Sequence, residues 1–279
     1  MEEFVYTIPW RTASALPGGH PSRHRGEGFE FVGHTPFLSN PSPRDIDVRA
    51  SIRDPFRQLS VRNFRQKSSV PVWVVADLSA SMCFKGNQSK QKILADVAAG
   101  VAWSSFRQGD PFGFIGCDDV IRSDLHLPLK FHRGEMGRFR DTLLSSVLNG
   151  RGVSALRNAY ELIGRKKSLV FLVSDFHFPL DFAHSVLDSL SGHDVVPVVL
   201  WDQAEFERLP SSGLVVIKDP ETGQEKRLWM RQSLKRLIKN GYESRRLEIE
   251  SLCRASSGRS PFFCIDEFRP DELTRFFLS

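Results

Sequence analysis

Three small oxygen-bearing side chains occupy alternate positions of the chain, Asp77, Ser79 and Ser81, within "VVADLSASM" at residues 74–82. One carboxylate and two hydroxyls from a single short loop make a partial ligand set for a hard divalent cation. Mg²⁺ takes oxygen ligands in a near-octahedral shell and keeps several of its waters; Mn²⁺ accepts the same donors. A set this thin leaves room for water and for an outside ligand, and it needs further groups from neighbouring loops. Ser154, in "GRGVSAL", and Asp175, which ends "LVFLVSD", are the candidates. An Asp-x-Ser-x-Ser string arises by composition alone in roughly one chain in ten to twenty of this length. Asp and Ser are also ordinary cap and turn residues. The string gains weight from its place: one apolar run leads into Asp77, and another leads into Ser174 and Asp175.

Other chemistries meet obstacles. Hydrolases that form an aspartyl-phosphate also place an Asp after a buried strand, with a second acid two residues later for proton transfer. Here that position is Ser79, and no Gly-rich phosphate loop is present. The chain therefore reads as a non-enzymatic binding protein. A metal-dependent phosphohydrolase and a surface adhesion module are the alternatives. His177 reads as a loop histidine near the rim, because Mg²⁺ prefers oxygen. Asp118 and Asp119 read as rim charges or as a solvated turn. Cys83, Cys117, Cys253 and Cys264 are far apart, with no C-x-x-C pair. They read as reduced, mostly buried thiols.

Apolar periodicity supplies the elements that would position these groups. "VPVWVVADL" reads as a fully buried strand, and "SKQKILADVAAGVAWSSF" as a helix with Ile93, Val97 and Val101 at helical spacing. "PFGFIGCD", "SLVFLVSDF", "DVVPVVLWD" and "PFFCID" read as further strands, with "LHLPLKF" at an edge. "GEMGRFRDTLLSSVL", "SALRNAYELIG", "LDFAHSVLDSLSG" and "PDELTRFFL" read as helices. "GLVVIKDPETGQEKRLWM" reads as a hairpin turning at "DPETGQ". "SLKRLIKNGYESRRLEIESLCRA" reads as a long amphipathic helix interrupted near Gly241. Its basic residues read as a solvated face. Strands alternating with helices predict an α/β fold over residues 70–279, a mostly parallel central sheet flanked by helices. In such sheets the ligand site lies at the carboxyl ends of the strands, where "DLSAS" and "VSDF" both fall. Residues 1–69, rich in Gly, Pro, Ser and Arg, read as an irregular N-terminal extension packed on the main domain. Short strands are predicted in "FEFVG" and "QLSVRNF".

Bulk properties narrow the partners. The 279 residues are 41% apolar and 25% charged, with a net charge of +5, the balance of a soluble globular protein. No basic face interleaved with aromatics points to nucleic acid. No apolar run approaches the ~18–20 residues of a membrane span. The acidic start "MEEFVYTIPW" is neither a signal nor a transit peptide, so the expected location is cytoplasmic.

The motif set resembles the von Willebrand factor A domain and its metal-ion-dependent adhesion site. Asp77, Ser79 and Ser81 match its metal loop, Ser154 stands for its Thr, and Asp175 for its second Asp. "KILADVAAGVA" and "GDPFGFIGCDD" are similar to that fold as well. The resemblance implies Mg²⁺ at these five residues, with a partner's Glu or Asp completing the shell. The N-terminal part resembles the bacterial family numbered fifty-eight among domains of unknown function. Gly19, Ser22, Gly26, Gly28, Glu30 and Phe31 match one of its motifs, and Arg44, Ile46, Asp47, Ser51 and Arg53 another. That family is typically encoded beside MoxR-type AAA+ ATPases. The resemblance implies a Mg²⁺-dependent protein-binding adaptor working with such an ATPase in maturation or assembly of a client protein. The chain departs from the family at Val48 (usually Trp), at Ala155 (usually Asp), at "NPSPRD" in place of a Pro-Gly-Asp turn, and in lacking the membrane helices of many members.

Overall fold

All six residues of Val72–Asp77 are buried. A strand covered on both faces carries a continuous apolar run, and only its last residue here is charged. In the computed structural model, which describes residues 3–12, 14, 16–26, 30–132, 134–218 and 220–279, this strand lies near the middle of the main sheet. The strands are β1 (Pro17–Gly26), β2 (Glu30–Pro36), β3 (Ser60–Ser68), β4 (Val72–Asp77), β5 (Phe112–Cys117), β6 (Leu127–Lys130), β7 (Leu169–Ser174), β8 (Asp194–Trp201), β9 (Gly213–Lys218), β10 (Glu225–Met230) and β11 (Phe262–Ile265). The α-helices are α1 (Val48–Arg53), α2 (Lys90–Gln108), α3 (Met136–Ser145), α4 (Tyr160–Ile163), α5 (Leu180–Ser189), α6 (Gln203–Phe206), α7 (Gln232–Ser257) and α8 (Pro270–Leu278). The chain forms two compact units. One holds the residues up to Thr7, Pro71–Arg107 and Pro111–Ser279; the other holds Ile8–Val70 and Gln108–Asp110.

The larger unit has the predicted α/β fold. Its six-stranded sheet runs β11-β8-β7-β4-β5-β6. The pairs β4–β5, β4–β7, β7–β8 and β8–β11 are parallel, and only β6 is antiparallel, at the edge. From β4 the chain goes to β5 and β6 on one side, then crosses back to β7 and β8 on the other. The strand order therefore reverses between β4 and β7, and that gap opens at their carboxyl ends. Trp73, Val75, Val170, Leu172 and Val195 on one face pack with Ala183, Val186 and Leu187 of α5 and Ile249 and Cys253 of α7. Ile93, Leu94, Val97, Ala98 and Val101 of α2 are buried as well, as the helical spacing predicts. Phe4 and Tyr6 are buried in the same unit, with the Phe4 ring against Phe171 and Phe277.

Several elements differ from expectation. Helix α7 continues through Gly241 for 26 residues. An interior Gly costs about 1 kcal/mol, which is small beside the burial of Ile249 and Cys253 and the stacking of Tyr242 on Phe206 at 4.8 Å. The helix expected at "SALRNAYELIG" is a 3₁₀ turn, Ser154–Asn158, followed by the four residues of α4. In the N-terminal region the two short strands expected in "FEFVG" and "QLSVRNF" form, as β2 and β3, and β1, which was not expected, joins them in an antiparallel sheet, β1-β3-β2. Ten-residue β1 has no apolar alternation to reveal it; its backbone pairs with β3, whose other edge pairs with β2. The hairpin β9–β10 forms as read. Gly28 of the motif, Phe29 of "FEFVG" and Asp219 of the hairpin turn lie outside the described residues. Cys117, Cys253 and Cys264 are buried and Cys83 is exposed; all four are free thiols. Among the described residues no helix is long and apolar enough to cross a membrane.

Candidate metal site

Asp77 ends β4, and register alignment of Ala76 with Val173 puts the end of β7 beside it. The Ser174 hydroxyl donates to Asp77 Oδ2 at 2.7 Å, and the Ser79 N–H donates to Oδ1 at 2.9 Å. The hydroxyls of Ser79 and Ser81 are 3.1 Å apart. Asp77, Ser79 and Asp175 are all buried. Ser81 lies close enough to Asp175 to favour its ionised form. Thus Asp77, Ser79, Ser81 and Asp175 come together at the point where the strand order reverses.

Ser154 is placed differently. It is exposed, and its hydroxyl donates to the backbone carbonyl of Asp119 at 3.2 Å. Its loop nevertheless abuts the metal loop, for the Ala80 N–H donates to the Gly150 carbonyl at 3.0 Å. Gly150 is required there: a Cβ on it would come within 2.4 Å of the Asp118 Cβ. Asp118 and Asp119 have structural work. Asp118 Oδ1 accepts from the Val120 N–H, and Asp119 Oδ2 accepts from the Arg151 N–H. His177 stacks on Trp201 with ring centroids 6.2 Å apart, and its Nε2 stands 3.6 Å from Glu205 Oε1.

Lys90 is a member that sequence reasoning missed. Its side chain is 1% exposed, and its ammonium donates to Asp175 Oδ2 at 3.1 Å and to Glu205 Oε1 at 2.7 Å. It is the first residue of α2, where the helix dipole disfavours a cation. A buried lysine at a helix N-terminus is doubly costly unless carboxylates hold it, and because its burial is visible only in the folded chain the sequence offered no signal for it. Ser174 was also missed as a participant, although "VSD" displayed it. The turn after Asp175 is held from α7. Phe176 adopts a left-handed φ of 54°, a conformation that costs a bulky residue of order 1–3 kcal/mol. The Arg245 guanidinium clamps it by donating to the carbonyls of Phe176, at 2.9 Å, and of Phe178.

Burial, reinforced by the neighbouring Asp175 charge, pushes the Asp77 carboxyl up to about 7, despite its hydrogen bonds. Burial also acts to raise Asp175 and Glu205, but Lys90 and His177 outweigh it and leave both below the ordinary range. Burial acts to lower Lys90, and the two carboxylates more than reverse that. A pH dependence follows. In EDTA, the folded chain keeps the Asp77 proton up to about 7, whereas the unfolded chain releases it near 3.8. The stability contributed by that protonation is complete below the unfolded value and is lost as pH rises through the folded one. Denaturation midpoints should therefore fall between about pH 4 and 7. Asp77→Asn should flatten the profile; an equally steep profile in that variant would assign the slope to another group.

The donor set fits a hard divalent cation. Among the described residues no three His, Cys, Asp or Glu side chains form a metal cluster; the donors are instead two carboxylates and two hydroxyls, the oxygen chemistry Mg²⁺ takes. The sequence pattern of the family described as "Protein of unknown function DUF58" matches residues 42–248. The chain belongs to that family. This DUF58 chain is 23% identical over 222 residues to the uncharacterized protein Rv1480 of Mycobacterium tuberculosis, covering 78% of this chain and 68% of the relative. Neither the family description nor that relative's name specifies a reaction. Among solved structures it is similar to the conserved hypothetical protein BatB from Bacteroides thetaiotaomicron (TM-score 0.43, 12% identity, 76% of this chain and 100% of that one). It is also similar to the SpRpn10 VWA domain (0.37, 9%, 74% and 92%). It spans 38% of the length of the mussel byssus proximal thread matrix protein 1, with a TM-score of 0.35, 16% identity and 47% of this chain covered.

Proposed function

We propose that this DUF58 chain is a protein-binding adaptor whose recognition site is a Mg²⁺ ion held at the β4–β7 switch point. One observation carries the reading: the charge balance of the pocket. Asp175 and Glu205 hold a single buried ammonium, Lys90, and the Asp77 carboxyl stands close enough to Asp175 to feel its charge. Fully ionised, these groups retain two negative charges, the charge of one divalent cation. Asp77, Ser79, Ser81 and Asp175 would hold the ion, with Mn²⁺ as an alternative. Ser154 would join if its hydroxyl left the Asp119 carbonyl. A bound Mg²⁺ would supply an exchangeable position at which a Glu or Asp of a protein ligand replaces water. Resemblance to MoxR-associated proteins supports a MoxR-type AAA+ ATPase as co-worker, with maturation or assembly of a client protein in the cytoplasm as the task.

Calorimetry with Mg²⁺ or Mn²⁺ tests the site. Asp77→Ala should weaken binding by at least about a hundredfold, since even an outer partner of a ligand is worth roughly 10–100-fold. Ser79→Ala should weaken capture of a co-encoded ATPase or client, with native circular dichroism, and capture should vanish in EDTA and return with Mg²⁺. Equal capture in EDTA would remove the metal from recognition.

A further inference from the structure

A second surface, far simpler than the metal site, lies on the smaller unit. Helix α1 and the segment after it carry large apolar side chains that face solvent: Val48 is 64% exposed, Ile52 79% and Phe56 81%. Val48 and Ile52 are one helical turn apart and share a face. Leu59, 51% exposed, follows in the chain, and the Phe37 N–H donates to its carbonyl at 2.7 Å; Leu38, next to Phe37, is 90% exposed.

This apolar patch is presented by a built scaffold. Asp47 caps α1 by accepting from the Ala50 N–H at 3.0 Å. The Ser51 hydroxyl ties the helix to β3 by accepting from the Ser60 N–H at 2.9 Å. Phe56 is held out by a turn in which Asp54 Oδ1 accepts from its N–H at 2.7 Å. The next residue, Arg57, has a left-handed φ of 55°, strain of the kind that accumulates at binding sites.

The charge around the patch says what covers it. Arg44, Arg49, Arg53 and Arg57 are exposed, and none of them makes an ion pair with another described residue. The acids of the same segment are already engaged. Asp45 accepts from the Ser42 hydroxyl, Asp47 caps α1 and pairs with Arg62, and Asp54 holds the turn. Every one of the four free cations is an arginine, whose planar fork pairs bidentately with carboxylates. Arginine around an aromatic anchor is also the composition of protein–protein hot spots. Binding to a bilayer surface scales with the apolar area that enters it, and α1 offers only Val48 and Ile52 as large apolar side chains, which favours a protein partner.

We infer that α1 and the turn behind it form a docking surface for an acidic, amphipathic protein segment, with Phe56 as its apolar anchor. The segment carries Asp or Glu to meet Arg49 and Arg53 and an apolar residue to cover Val48 and Ile52. Docking here needs no metal ion, so it stands independently of the function proposed for the β4–β7 site.

The test is selection of a random dodecapeptide display library on the full-length chain in EDTA. Selected peptides should be enriched in Asp and Glu interleaved with large apolar residues. Phe56→Ser should lower retention of the selected peptides about tenfold or more, the loss of one well-placed anchor. The double variant Arg49→Glu/Arg53→Glu should switch selection to Lys- and Arg-bearing peptides. Both variants lie on the surface and should keep native circular dichroism. Selection of peptides without acidic bias, or a bias unmoved by both variants, would overturn the inference. So would flotation of the chain with phosphatidylglycerol vesicles that is lost in Phe56→Ser, which would assign the patch to a membrane. Self-association abolished by the same substitution would assign it to a second copy.

Discussion

Lys90→Met is expected to destabilise the larger unit by about 3–5 kcal/mol, the usual cost of removing one member of a buried ion pair. Methionine keeps the apolar stem and removes the ammonium. Asp175 and Glu205 are then left buried without the cation that now lies 3.1 Å and 2.7 Å from them. One effect opposes the loss: a cation no longer sits at the N-terminus of α2. That relief is worth about 0.3–1 kcal/mol, too little to offset it. Denaturant unfolding in EDTA near pH 7.5 should show the midpoint shift. Mg²⁺ should then recover more stability in the variant than it adds to the natural chain, because an ion beside Asp175 replaces part of the missing charge. An unchanged midpoint in EDTA would mean that the two carboxylates do not depend on the lysine, and the charge balance behind the metal proposal would lose its footing.

Phe4→Ala is expected to cost about as much, roughly 3–5 kcal/mol for a buried ring replaced by a cavity. The Phe4 ring stacks against Phe277 at 6.2 Å and meets Phe171 edge-on at 5.9 Å, while the backbone N–H of Phe4, which alanine keeps, donates to the Ser104 hydroxyl at 3.0 Å. Melting followed by near-ultraviolet circular dichroism would register the loss of this aromatic packing. A variant that melts with the natural chain would make the first strip of sequence a loose arm. For the same reason, a chain beginning at Ser69 would lose Phe4 and Tyr6 along with the three-stranded sheet, and its instability would not isolate either contribution.

The elements that could be read from sequence were those with a strong period or a continuous apolar run. β4, β7 and β8 are buried along their whole length, and α2 buries successive turns. Their order placed Asp77 and Asp175 at the same sheet end without any structure. β1 escaped because a strand that pairs through its backbone alone needs no alternation. The break assigned to Gly241 did not occur because tertiary contacts outweighed a local propensity of about 1 kcal/mol. Within the site, the two acids and the serines were legible as oxygen donors in a loop. Lys90 and Glu205 were not, since their meeting depends on side chains 115 residues apart in sequence. Ser154 shows the limit from the other side: its residue type suits a metal, but its hydroxyl is spent on the Asp119 carbonyl.

The reversal of strand order between β4 and β7 also bears on the time course of folding. Ser174 reaches Asp77 across 97 residues of chain, and Lys90 reaches Asp175 across 85. Contacts of such range form only after the entropy of closing long loops has been met, which makes parallel pairings of this kind slow. During synthesis the "DLSAS" loop emerges well before β7 exists. In that interval Asp77 has neither its serine donor nor its acidic neighbour, and Lys90 is an ordinary solvated lysine. The pocket is therefore a late product of folding: β7 must align with β4, and Glu205, which lies beyond β8, must still reach Lys90. A partner that recognised it, as proposed above, would discriminate finished chains from unfinished ones, so recognition at this place would carry a built-in check on the state of the chain itself.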